Sequence, residues 1–152
     1  MRVSAKTDYA LRAAAELAAS GGGRPVKAER IADAQDIPLR FLENILSELR
    51  HAGIVESRRG AEGGYLLARP PAETPLADVI RAVDGPLANV SGHRPESLEY
   101  RGSAEPLREV WVAVRAGLRD VLEGVTLADV AAGELPDAVR ALVDDPEAWQ
   151  AH

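Results

Sequence analysis

Over residues 6–19 the apolar side chains fall at Ala10, Leu11, Ala14, Leu17 and Ala18, the spacing of one helical face, and Ser20 with Gly21, Gly22 and Gly23 stops the pattern. A shorter helix fits residues 27–35, with Ile31 and Ala32 inward, after which Asp36 turns the chain. A third helix fits residues 38–52: Pro38 suits a first helical position, Leu42, Ile45, Leu46 and Leu49 form the buried stripe, and Gly53 supplies a left-handed terminator. The period then changes. Residues 54–58 and 65–69 read as two antiparallel strands, joined by Arg59-Gly60-Ala61-Glu62-Gly63-Gly64, whose glycines suit a loose hairpin tip that can approach another surface closely. Helix, tight turn, longer helix and hairpin predict a winged helix-turn-helix.

Pro70 and Pro71 close the wing, and Thr74 before Pro75 reads as an N-cap and first position for a helix through Val83, ended by Asp84-Gly85-Pro86. Residues 86–104 have little periodicity and read as a loop with no obvious core. Over residues 105–124, Leu107, Trp111, Val114, Leu118, Val121 and Val125 recur at alternating steps of four and three, and Val110 and Leu122 widen the stripe. That stripe either completes a single-chain core or, because it exceeds what a short winged domain can cover, forms a dimer interface; we read it as the latter. Thr126-Leu127-Ala128-Asp129 opens a short helix with a capping-box arrangement ended by Gly133, and Leu135-Pro136 begins a last acidic helix fading towards Trp149. The expected fold class is mainly α with a small two-stranded β wing, a winged helix-turn-helix domain followed by a long dimerisation helix.

Composition narrows the chemistry. The 152 residues are 46% hydrophobic and 28% charged with no long apolar run, which suits one soluble globular unit and excludes disordered, collagen-like and membrane-spanning classes. Cysteine is absent, which excludes disulfides, thiolate nucleophiles, thiol redox switches and Cys-ligated iron–sulfur clusters. No signal-peptide or lipidation pattern is present, so a cytoplasmic location is expected. Net charge is −6, but residues 1–69 hold eleven Lys+Arg against nine Asp+Glu, and residues 70–152 hold seven against fifteen. The first half therefore suits approach to a polyanion, and the second does not. No Ser/His/Asp constellation, phosphate-binding glycine loop or zinc-ligand spacing occurs, so an enzyme is not expected.

With its apolar stripe inward, the third helix leaves Leu39, Arg40, Phe41, Glu43, Asn44 and Ser47 on its outer N-terminal face, next to Pro38. Arg reads guanine, Asn reads adenine, Glu accepts from cytosine and Phe can touch a thymine methyl, so this face suits base edges in a major groove. The competing reading is a solvated helix face with Phe41 tucked into the core. Arg58 and Arg59, beside Gly60 and Gly63, suit phosphate or a narrow minor groove. The competing reading there is an ordinary solvated hairpin.

The stretches MRVSAKTDYALRA, IPLRFLENILSEL (residues 37–49), RGAEGGYLL (59–67) and LADVIRAVDG (76–85) resemble the Rrf2 family of bacterial winged-helix transcription regulators. The resemblance implies a homodimer zipped along the long helix that binds double-stranded DNA at a pseudo-palindromic operator and usually represses. It implies phosphate contacts by Lys6 and Lys27, and a division into a DNA-binding domain (1–85), an effector or sensor-type loop (86–104) and a dimerisation helix with C-terminal helices (105–152). Many members of the family hold an iron–sulfur cluster on three cysteines in that loop. Here the loop offers only His93, Glu96 and Glu99, with Asp8 at a helix-one position resembling a carboxylate ligand of some relatives. Nitrogen and oxygen donors alone rarely hold such a cluster, so no metal and no cofactor are expected. His93, Arg94, Tyr100 and Arg101 cluster in the same segment and are candidates for an unidentified small-molecule effector. The wing has Ala61-Glu62 where relatives often have proline and glycine, which places a negative charge beside the expected phosphate contacts. Two alternatives stay open: a winged-helix module that binds protein rather than specific DNA, and a regulator with an atypical non-cysteine metal or cluster site.

Overall fold

A computed structural model describes residues 2–20 and 23–152; Met1 and the helix-ending Gly21 and Gly22 lie outside the described residues. Helix α1 (Ala5–Ala19) starts at Ser4, whose extended backbone lets its hydroxyl accept from the Thr7 N–H at 3.0 Å. Ala10, Ala13 and Ala14 are fully buried, and these small side chains allow α1 to lie against α2, α3, α4, α6 and β2 at the centre of the molecule. Helices α2 (Ala28–Gln35) and α3 (Leu39–His51) are joined by Asp36 in left-handed backbone, φ 50°, and the Ile37 N–H reaches back to the Ala32 carbonyl at 3.0 Å. Leu42, Ile45, Leu46 and Leu49 are all buried, as the stripe requires. Pro38 stands one step outside α3 as its cap instead of inside as its first residue.

Strands β1 (Val55–Arg58) and β2 (Gly64–Leu67) pair antiparallel, in register from Val55↔Leu67 to Arg58↔Gly64. The segment before α2 joins them: the Val26 N–H donates to the Tyr65 carbonyl at 2.7 Å and the Tyr65 N–H to the Val26 carbonyl at 2.8 Å. This bridge explains Gly64. Its φ is +148°, and a Cβ there would lie 2.5 Å from the Val26 carbonyl oxygen. Any side chain would push the wing off the helical body.

Helix α4 (Leu76–Asp84) begins one residue later than the sequence pattern suggests, and Thr74 is not its N-cap. Thr74 is buried, its hydroxyl donates to the Pro70 carbonyl at 3.1 Å, and its carbonyl accepts from the Leu127 N–H at 3.0 Å. The extended Pro75 pairs with Thr126, so this stretch serves a long-range contact in place of a local cap. At the other end of α4, Asp84 accepts from the Ser4 hydroxyl at 2.9 Å and from the buried Thr7 hydroxyl, tying α4 to the start of α1.

Residues 86–104 are more anchored than their sequence suggests. Leu87 and Pro95 are buried, Val90 and His93 form a bridge, and 3₁₀ turns cover Pro95–Ser97 and Gly102–Ala104. Helix α5 (Leu107–Leu122) follows, with no buried residue of its own. The chain then returns to the first core. Helix α6 (Leu127–Ala132) carries the expected capping box between Thr126 and Asp129, packs on α1, and places Leu127 fully buried in the same apolar cluster as Ile31, Leu46 and Val79. Helix α7 (Asp137–Val143) and a 3₁₀ turn at Pro146–Trp149 end the chain on the surface. Among the described residues no helix is long and apolar enough to cross a membrane.

Candidate nucleic-acid interface

Burial of one side of α3 decides what the other side offers. Pro38, Leu39, Arg40, Phe41, Glu43 and Asn44 are exposed, and Ser47 is half-buried. Phe41 is 63% exposed, which removes the reading that tucks it into the core. A large aromatic ring left in water on the first turn of a helix is the kind of exposed apolar group that suits a contact surface better than a core. At the far end of α3, Arg50 donates to Ser57 of β1 at 3.4 Å, which links helix and wing.

Arg58, Arg59 and Glu62 line one open concavity of about 640 Å³ together with Arg24 and Pro25. Arg24 was not among the residues the sequence singled out. It arrives there because the Val26–Tyr65 bridge lays the segment before α2 along the wing. The only local signal was a β-branched residue after Arg-Pro. Gly60 is exposed with φ 104° and open space around its Cα. Gly63, placed among the DNA contacts by sequence, is instead buried within the turn: a Cβ there would lie 2.3 Å from the Arg58 carbonyl oxygen, and its N–H donates to the Gly60 carbonyl at 3.0 Å. Its role is to let the tip close on itself. Lys27 is exposed at the cap of α2, with no side-chain capping bond. Lys6 is half-buried and paired with Glu48 of α3 at 3.1 Å, so a phosphate would compete with that carboxylate for it.

The stripe on α5 is divided. Leu107 and Val110 are 42% and 49% exposed, whereas Trp111, Val114, Leu118, Val121 and Leu122 are half-buried. The segment that precedes the helix supplies part of this cover, and the Trp111 indole donates to the Tyr100 hydroxyl at 3.0 Å. Val125 does not belong to the exposed stripe. It is 3% exposed, beyond the end of α5, and its carbonyl accepts from the Leu76 N–H at 2.9 Å. On another side of α5, Val112, Ala113 and Ala116 are exposed beside Glu96, Arg108 and Glu109, an apolar strip the periodicity did not mark.

The four effector candidates are not brought together. His93 is held in its backbone bridge with Val90, Tyr100 is engaged with Trp111, and Arg94 alone lines the cavity between α4 and α5. Arg101 caps the 3₁₀ turn that begins at Gly102. Nor do the carboxylates form a metal site. Asp8 pairs with Arg12 at 3.1 Å, and Glu96 pairs with Arg115. The Glu96 backbone N–H, and then Arg115, hold the Glu96 carboxyl below the usual carboxylate range. Among the described residues no three His, Cys, Asp or Glu side chains gather as metal donors. With no thiolate in the chain, this donor set does not fit an iron–sulfur cluster.

The family model "Rrf2: Iron-dependent Transcriptional regulator" matches residues 3–133. A Mycobacterium tuberculosis (strain H37Rv) protein named as an HTH-type transcriptional regulator, Rv1287, is 50% identical over 150 residues, covering 99% of this chain and 93% of that one. The HTH-type transcriptional regulator CymR of Bacillus subtilis is 37% identical over 131 residues, covering 86% of this chain and 90% of that one. The solved structure of CymR, "the Global Cysteine Regulator of B. subtilis", superposes with a TM-score of 0.74 at 35% identity, covering 88% of this chain and 98% of that chain. The structure titled "T. potens IscR" superposes with a TM-score of 0.69 at 34% identity, covering 100% of this chain and 93% of that chain. The chain belongs to the Rrf2 family of transcriptional regulators, which are winged-helix DNA-binding proteins and not enzymes.

Proposed function

We propose that the protein is a homodimeric, sequence-specific repressor that inserts α3 into the major groove and braces its wing on the adjacent phosphates or minor groove. The observation that carries this reading is the two-sided α3. Leu42, Ile45, Leu46 and Leu49 lock one face into the core, which presents Arg40, Phe41, Glu43 and Asn44 rigidly to the outside, next to a wing concavity holding Arg24, Arg58 and Arg59. One helix with three or four base contacts gives too little discrimination in a genome, and a second copy of the same face on a pseudo-palindromic operator supplies the rest. The apolar residues that α5 leaves exposed, Leu107 and Val110 foremost, are where that second copy would dock. Repression follows from occupying promoter DNA, and no thiolate-held cluster takes part.

Binding to the region upstream of the protein's own gene, titrated with salt, tests the proposal. The double substitution Arg58→Glu with Arg59→Glu removes two phosphate-facing cations, so affinity should fall by about tenfold or more, and the slope of log affinity against log salt should flatten by about two. Unchanged affinity and slope would sink the wing assignment. A specific complex absent even at low salt would favour a protein-binding module.

A further inference from the structure

The geometry points to a binding site for a small oxyanion, a metabolite bearing a carboxylate or phosphate, in the cavity between α4 and α5. This cavity has a volume of about 350 Å³, within the range that small ligands occupy. Its walls bring together four arginines from three parts of the chain: Arg81 of α4, Arg94 of the connecting segment, and Arg115 and Arg119 of α5. Leu87 and Pro95, both buried, form part of an apolar floor with Pro86 and Ala88. Four guanidinium groups around one apolar-floored hollow are mutually repulsive unless anions compensate them.

Compensation within the chain is incomplete. Glu96 pairs with Arg115, and Asp78 and Glu123 pair with Arg81. Among the described residues Arg94 and Arg119 have no carboxylate within ion-pair distance, although both line the hollow. A planar guanidinium gives bidentate bonds to carboxylate and phosphate oxygens, so two arginines without an ion-pair partner, one on the connecting segment and one on α5, select that chemistry over neutral ligands. The location also gives binding a consequence. The Arg81–Glu123 pair links the winged unit to α5, and an oxyanion that draws Arg81 or Arg119 towards itself alters how α4, and with it the reading head, is held against α5. Only this consequence for DNA rests on the regulator reading; the binding itself does not.

The test uses the full chain without DNA, titrated calorimetrically and by melting with inorganic phosphate, pyrophosphate, succinate and citrate, against sodium chloride at matched ionic strength. Saturable binding by a phosphate probe, or by a carboxylate probe, supports the site and identifies which oxyanion source it prefers. Arg94→Gln and Arg119→Gln should each weaken that binding by about tenfold or more. Both residues are exposed and circular dichroism verifies their fold, whereas Arg108→Gln, outside the cavity, should bind as the parent does. No saturable binding by any of the four probes, or parent-like binding by both cavity variants, overturns the site. The bound anion should then change affinity for the upstream DNA by about fivefold or more in the parent and not in Arg119→Gln. A bound anion with no effect on DNA affinity overturns the regulatory consequence, and a protein that binds anion saturably but no DNA supports the site while overturning the regulator reading.

Discussion

At the scale of single residues, carboxylates that could approach a metal are engaged in ion pairs, and the chain has no cysteine. Asp8 is engaged by Arg12 and Glu96 by Arg115, so two of the three candidate carboxylates already have a cationic partner, and Glu99 belongs to no group of three donors among the described residues. A cluster held by oxygen and nitrogen alone would have to displace those arginines and do without sulfur donation. Protein purified under anaerobic conditions should therefore be colourless above the aromatic absorption band and free of iron; a visible charge-transfer band with stoichiometric iron would refute this. Phe41 shows how a residue's neighbours decide its role. The sequence left it between core and contact, and its 63% exposure assigns it to the surface because Leu42 and Ile45 already fill the space beneath α3. Gly63 went the other way, since spacing alone cannot distinguish a glycine that meets a ligand from one that lets its own hairpin close.

At the scale of elements, α5 combines a long apolar stripe with no buried residue of its own. Its apolar side chains are partly covered where they face residues 86–104 and α4, and the exposed remainder is worth roughly 25 cal/mol for each Å² a partner would remove from water. Val110→Glu places a charge at a half-open position that no core contact needs. It should convert a dimer of about 32 kDa, twice the 16.2 kDa chain, to the single-chain mass in sedimentation, with little change in the melting of the winged unit. A sedimentation mass unaffected by the charge would place the interface elsewhere, with the Val112 and Ala116 strip the next candidate. Periodicity within elements was legible because it is local: α3 and the α6 capping box are where the pattern put them. What stayed hidden was pairing between distant segments. Val26 with Tyr65, and Pro75 with Thr126, are extended contacts of one residue pair each, too short to leave an alternating pattern. Arg24 in the wing and Thr74 away from its cap both follow from those two bridges.

At the scale of the whole molecule, the chain is not a reading head followed by an independent tail. After α5 it returns to the first core, where the Leu76 N–H donates to the Val125 carbonyl at 2.9 Å, the Leu127 N–H to the Thr74 carbonyl at 3.0 Å, and the Leu127 side chain is fully buried among residues of α1 to α4. The acidic half thus completes the core of the basic half. Such a closure makes the stability of the α3 and wing surface depend on a residue more than sixty positions beyond the wing tip's arginines. Leu127→Ala removes a large buried side chain from a closed site and should cost about 2–5 kcal/mol. The signature lies in how the loss is distributed. Both tryptophans, Trp111 and Trp149, belong to the second half, whereas far-UV circular dichroism reports all the helices. If one cooperative unit includes both halves, urea titrations followed by fluorescence and by dichroism shift together, to a common lower midpoint. Separate midpoints, with the dichroism of the winged unit preserved at the parent's value, would show that α6 only rests against a domain that folds without it.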